Sequence, residues 1–256
     1  MDEPIHITRW GDHGPRVVMV HGSAQGSAVG GERHFSAQAR LAARGWQVIV
    51  PDRPGHGRSP APGRGDDAEA DGAWVAELLG DGGHLVGHSF GGPVALAAAA
   101  LRPEAVRSLT VIEPAMQALA MHDPRVQQFG RGLMEAMTTA TSPADRAMKF
   151  SALVRIPREI RGGESDPAEM ARIGEGLTRM KLPSADVLRA QLEVVARTPI
   201  PLMVVTGGWN PGYEVVADAV AEAGAGTHVV IASEHHFPQL VSDAFNDVLV
   251  EFMTRA

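Results

Sequence analysis

Gly87-His88-Ser89-Phe90-Gly91 is the stretch on which the rest of the chain turns. It is a G-x-S-x-G that directly follows a short apolar run, 84–86, and directly precedes a helical stretch, 90–101. That is the context a nucleophile elbow requires: a serine on a turn so tight that its backbone is strained and its hydroxyl stands clear of the sheet. The flanking glycines give strand and helix room to come so close. Pro93 falls in the first helical turn, where its missing N–H leaves no bond unmade. Ser89 is the candidate nucleophile. Elsewhere the same five residues would as readily hold a structural serine; the placement gives the motif its weight.

Working outward, apolar runs rich in β-branched residues recur at 17–20, 46–50, 84–86, 108–112, 202–206 and 227–231. Each is ended by glycine, proline or a polar group, as buried parallel strands are. Helical stretches fall at 36–44, 67–79, 90–101, 213–223 and 239–253. Such alternation predicts a mainly parallel, doubly wound sheet covered on both faces, with its active site outside the carboxyl ends of the strands.

From 114 to about 199 no strand pattern occurs, and helices are separated by Pro143, Pro157, Pro167 and Pro183. The expected division is a core of 1–113 and 200–256 with a helical cap of 114–199. The cap segment holds seven of the eleven methionines: Met116, Met121, Met134, Met137, Met148, Met170 and Met180. Methionine adapts to irregular apolar shapes, so a lid over a hydrophobic substrate would use it; core residues of a helical layer are the plainer reading.

Bulk composition bounds the partners. A net charge of −7 over 256 residues argues against a nucleic-acid surface, which needs clustered positive charge. The basic group Arg155-Ile156-Pro157-Arg158 reads as solvated loop charge. With no cysteine there is no disulfide framework and no thiolate metal site. The start, Met1-Asp2-Glu3-Pro4, lacks the basic and apolar segments of a signal peptide. The alanine-rich run at 94–101 is far short of the ~20 residues that span a bilayer. A soluble, cytoplasmic protein without a membrane partner is the expectation, and self-association into a homo-oligomer is left open.

Two further loops carry a resemblance. His21-Gly22-Ser23 follows the run at 17–20, and Pro51-Asp52-Arg53-Pro54-Gly55-His56-Gly57-Arg58-Ser59 follows the run at 46–50. Together with the elbow and a late histidine, these resemble the α/β-hydrolase superfamily, over a span from about residue 5 to the C-terminus. The resemblance implies an α/β-hydrolase fold with its helical cap inserted after what the family counts as its sixth strand. It implies oxyanion-hole amides at Ser23 and Phe90. It also implies a base after the last strand, where His236-Phe237-Pro238 fits and His235 takes the place of the usual glycine. His21 and His56 belong to loop motifs, His88 shapes the turn, and Asp52 and Arg53 read as structural loop residues.

The family's usual frame for the triad acid reads Gly207-Gly208-Trp209-Asn210 here. Asparagine can orient an imidazole but cannot balance the imidazolium by charge, and in serine proteases the equivalent loss costs about 10⁴ in turnover. Glu113 is the candidate acid instead. It ends the run at 108–112, 24 residues beyond Ser89, and some dehalogenases and lactone hydrolases of the superfamily keep their acid on that strand. Capping of the first lid segment is its alternative role. Glu214 and Asn210 remain the other candidates for orienting the base.

A Ser89–His236–Glu113 triad implies acyl transfer to water with no metal and no cofactor. The expected substrate is a small hydrophobic ester or lactone, and the strand-end glutamate is similar to that of zearalenone-type lactone hydrolases. Two alternatives stay open: cofactor-free carbon–carbon bond hydrolysis on the same triad, and a non-catalytic small-molecule-binding relative of the fold.

Overall fold

The computed structural model describes residues 4–158, 160 and 166–256; Met1, Asp2 and Glu3 of the acidic start lie outside them. Among the described residues seven strands form one sheet: β1 (Ile7–Trp10), β2 (Arg16–Val20), β3 (Gln47–Pro51), β4 (Gly83–His88), β5 (Val106–Ile112), β6 (Leu202–Thr206) and β7 (Thr227–Val230). Their order is β1-β3-β2-β4-β5-β6-β7. Only β1 runs antiparallel to its neighbour; all other pairs are parallel. The strand carrying Glu113 at its end is thus the fifth of this chain.

Strand alternation builds two cores, one on each face. Val18 and Val20 of β2 point to one side with Leu85, Leu109, Val111 and Val204. Val17 and Met19 point to the other with Val48, Val50, Val86, Ile112 and Val205. Period-two side-chain direction requires this split, and continuous apolar runs are what a sheet buried on both faces must have.

Nine α-helices are described: α1 (Gly31–His34), α2 (Ala68–Leu78), α3 (Gly91–Leu101), α4 (Pro124–Thr138), α5 (Pro143–Leu153), α6 (Pro167–Leu177), α7 (Ala185–Arg197), α8 (Pro211–Ala223) and α9 (Ala244–Thr254). The stretch 36–44 is helical but wound as a 3₁₀ helix. The stretch 239–253 is two pieces, a short 3₁₀ turn at Pro238–Leu240 and then α9. Between β5 and β6 no strand occurs among the described residues. Pro157 and Pro183 lie in loops between helices, whereas other prolines there start helices. Pro124, Pro143 and Pro167 stand at first helical positions behind Asp123, Ser142 and Asp166, whose side chains accept from free N–H groups of the first turn.

Helix α7 lies within the span read as cap, yet it packs on α3. Its Leu188, Leu192 and Val195 are buried in the same core cluster as the sheet's Leu109 and Val204. Chain order reverses between β2 and β4, because β3 flanks β2 on its far side. Connections therefore leave these neighbouring strands in opposite directions, and a crevice opens at their carboxyl ends. The His21-Gly22-Ser23 loop leaves β2 there, and Ser89 leaves β4.

Candidate active site

Ser89 sits between β4 and α3 with φ +56°, in the left-handed region that non-glycine residues seldom occupy. Its N–H donates to Ile112 O at 2.9 Å, and its carbonyl accepts from Gly92 N and Ala115 N, each at 3.0 Å. The turn is locked by neighbours on both sides. A Cβ on Gly91 would stand 2.1 Å from Val20 O, and one on Gly87 would stand 2.2 Å from Gly91 O. Only glycine fits either place, which is the physical content of the motif.

The loop after β2 lies against this turn. A Cβ on Gly22 would meet Ser89 Cβ at 2.5 Å. Ser23, the candidate oxyanion residue, also has a left-handed backbone, φ +77°. Arg53 N–H donates to His21 Nε2 at 2.8 Å, which leaves Nδ1 protonated to donate to Gly22 O at 2.7 Å. Phe90, the other candidate, is buried at the first residue after Ser89.

Glu113 follows β5 with φ +45° and is fully buried. Its N–H continues the ladder by donating to Val205 O at 2.8 Å, so the turn occurs while still hydrogen-bonded to β6. Oε1 accepts from Gly207 N–H at 2.7 Å, and Oε2 accepts from Trp209 Nε1–H at 3.2 Å. The same Oε2 faces His236 Nδ1 at 3.2 Å. His236 is buried, its ring packed against Tyr213 and His88 at 4.9 and 4.8 Å between centroids. His88 Nε2–H donates to His236 O at 2.7 Å and fixes the loop that carries the imidazole.

Burial pushes Glu113 up to about 7, against the two N–H groups that favour its charge. Burial and the neighbouring His235 push His236 down to about 3, so its imidazole is neutral at neutral pH. A neutral ring with Nδ1–H directed at a carboxylate presents Nε2 as a free base.

The other candidates point elsewhere. Asn210 caps α8, its side chain accepting from Gly212 N–H at 2.8 Å. Glu214 accepts from Thr206 Oγ1 at 2.9 Å and from Gly208 N–H at 3.1 Å, with His228 Nε2 at 3.5 Å. His235 turns its Nδ1 toward Ser233 Oγ, 3.1 Å away. Arg155 is not a free loop charge: its guanidinium lies 5.3 Å over the Trp209 ring and donates to Glu234 O.

Ser23, Ser89, Phe90 and His236 line one cavity of about 210 Å³. Its outer wall comes from α4, α5 and α6, through Phe129, Leu133, Met137, Phe150, Val154 and Met170. Of the seven methionines between 114 and 199, three line it: Met137, Met170 and Met180. Met116 belongs to the core, and Met121, Met134 and Met148 are exposed. Neither lysine nor arginine lines the cavity among the described residues.

Gly207, Trp209 and Tyr213 contact the Glu113–His236 pair without having been singled out from sequence. Two of them lie in the Gly207-Gly208-Trp209-Asn210 frame, where the missing aspartate drew attention from the donors beside it. Among the described residues no three or more His, Asp or Glu side chains are grouped to hold a metal ion, and no helix is long and apolar enough to cross a membrane.

Comparison with known proteins agrees with this architecture. The profile of the alpha/beta hydrolase fold family matches residues 15–151. The chain is 35% identical to the lipase LipV of Mycobacterium tuberculosis over 149 residues, 56% of this chain and 51% of the lipase. It thus spans about half the length of that relative. Over 105 residues it is 37% identical to 2-hydroxymuconate semialdehyde hydrolase of Pseudomonas putida, covering 37% of this chain and 34% of that enzyme. The solved structure of the N-acyl homoserine lactonase AidH superposes with a TM-score of 0.65 at 20% identity, covering 98% of this chain and 92% of that one, which speaks to the fold alone. With an elbow serine between β4 and α3, a parallel sheet reversing beside it and a family match over more than half its length, this chain belongs to the alpha/beta hydrolase fold family.

Proposed function

We propose that the protein is a serine hydrolase of small, neutral, hydrophobic carboxylic esters or lactones. The observation that carries the reading is the buried Glu113–His236 contact of 3.2 Å, beside a cavity that Ser89 and His236 both line. Ser89 Oγ attacks the carbonyl carbon while His236 Nε2 takes its proton, and the Glu113 carboxylate balances the imidazolium that results. The N–H groups of Ser23 and Phe90 receive the developing oxyanion, each such donor being worth on the order of 10²–10³ in turnover. His236 then protonates the leaving group and activates the water that releases the acyl group. Helices α4, α5 and α6, which wall the cavity, serve as the lid, while α7 remains with the core.

Substrate polarity follows from the walls. Among the described residues the cavity wall carries the carboxylate of Glu169 and no lysine or arginine, so an acid bound against that wall would lose its hydration beside a like charge. This favours neutral acyl groups over charged acids. A fluorophosphonate probe tests the nucleophile: wild type is expected to label and Ser89→Ala is not. A panel of p-nitrophenyl esters, neutral lactones and vinylogous diketone acids then tests the substrate class. Hydrolysis of the diketone acids alone would move the assignment to carbon–carbon cleavage, and wild-type protein that does not label would make it a binding module.

A further inference from the structure

Arg53 heads the large, fully buried side chains among the described residues, and none of the chemical steps above uses it. Its guanidinium spends every nitrogen. Nη2 pairs with Asp66 Oδ1, Nε donates to Asp71 Oδ2 at 3.2 Å, and Nη1 donates to Gly22 O at 3.3 Å. Its face also lies 4.4 Å over the ring of Phe90. Asp66, in turn, accepts from Gln25 N–H through Oδ2 at 2.9 Å.

These contacts bracket the loop that holds Ser23. Gly22 C=O and Ser23 N–H belong to one planar peptide unit and point in opposite directions. Fixing the oxygen therefore aims the N–H. Arg53 Nη1 and His21 Nδ1 both donate to that oxygen, while Asp66 grips the chain two residues past Ser23. Between the two grips Ser23 is held at φ +77°, a conformation it would leave if released.

A buried ion pair is poor evidence of a stabilising role, because apolar side chains of similar volume often do as well. The pair here has a geometric one. We infer that the buried Arg53–Asp66 ion pair is a positioning device for the oxyanion hole, aiming the Ser23 N–H and bracing the Phe90 side of the same hole. The inference rests on the serine-hydrolase reading. Arg53 touches no substrate and acts through Gly22, Ser23 and Phe90.

The test compares an oxoester with its thionoester, using a p-nitrophenyl ester that wild type hydrolyses. Sulfur is larger and a weaker hydrogen-bond acceptor, so a working oxyanion hole prefers the oxoester. Two variants are used: the double Arg53→Gln/Asp66→Asn, which leaves no new buried charge, and Asp66→Asn alone, which keeps side-chain shape. In the double variant, kcat on the oxoester is expected to fall on the order of ten- to a hundredfold with KM within about twofold. Its thionoester rate should change far less, so the oxo-to-thiono ratio collapses; Asp66→Asn should give an intermediate ratio. An equal fall on both esters, or an unchanged ratio in Asp66→Asn, would overturn the inference. If the double variant does not fold, the ratio in Asp66→Asn decides alone. Wild type with Ser89-dependent turnover but no oxoester preference sinks only this inference, whereas wild type inert to every ester sinks the hydrolase reading beneath it.

Discussion

Glu113 Oε2 and His236 Nδ1 meet at 3.2 Å although their residues stand 123 positions apart in the chain. The sheet order makes this possible. β5 and β6 are hydrogen-bonded neighbours, and the carboxylate at the tip of β5 accepts from Gly207 N–H at the tip of β6. The loop after β7 then brings the imidazole over both.

Replacing Glu113 by Gln keeps the shape and removes the charge. Turnover of a chromogenic ester is expected to fall on the order of 10³–10⁴. Glu214→Gln should leave turnover within a few-fold. Asn210→Ala should do the same while lowering stability by about 1 kcal/mol, through loss of the α8 cap. A larger kinetic effect at 210 than at 113 would return the orienting role to the loop after β6.

The pH dependence of kcat/KM should carry an acid limb near 7, where Glu113 ionises. Trp209 Nε1–H donates to the charged carboxylate and so favours ionisation. Trp209→Phe removes that donor and should move the limb to higher pH, with the rate at the alkaline plateau less affected. A limb that stays in place or moves down would show that Trp209 does not hold the carboxylate.

Six buried histidines, His21, His34, His56, His84, His88 and His236, are pushed below their ordinary value, chiefly by burial. Between that value of 6.5 and their depressed folded values, the unfolded chain binds more protons than the folded one. Stability should therefore be full above about 6.5 and fall as pH drops below it. Glu113 and Asp66, pushed up by burial, act in the opposite sense but are two groups against six. Thermal melting from pH 7.5 down to pH 5 is the measurement, and a Tm that rises on acidification would contradict the assignment of neutral rings.

Core and lid should respond differently to truncation. Leu188 on α7 is fully buried, and Leu188→Ala should cost about 2–5 kcal/mol in denaturant unfolding. Met134 on α4 is 63% exposed, and Met134→Ala should be within about 0.5 kcal/mol of wild type. Similar losses at both would mean that α4 is packed as core.

Much of this was legible in the sequence because it rests on short-range geometry. The elbow announces itself through glycines forced by contacts under 2.5 Å at Gly87 and Gly91. The parallel strands announce themselves through continuous apolar runs. β1 escaped notice because Ile7–Trp10 is a half-exposed edge strand containing Thr8 and Arg9. Helix α7 read as cap because its amphipathic pattern tells which face is buried and not against what. Met121, Met134 and Met148 fit neither the lid nor the core reading, since side-chain softness suits an exposed surface as well. Trp209 and Arg53 were invisible as partners because each acts across folds of chain that sequence spacing does not encode, Trp209 reaching Glu113 over 96 positions.

Ser23, Ser89 and Glu113 share one property beyond their chemistry: each holds a left-handed backbone that glycine would adopt without penalty. Roughly 1 kcal/mol or more is stored at each site. Glycine at any of them would relieve that strain while deleting a hydroxyl or, at 113, the carboxylate that meets His236. A library of this protein sorted only for heat resistance would therefore drift toward glycine at loop tips 23 and 89, while at 113 the buried N–H groups of Gly207 and Trp209 would be left without their acceptor. Its survivors would be sturdier and, at 89, chemically silent.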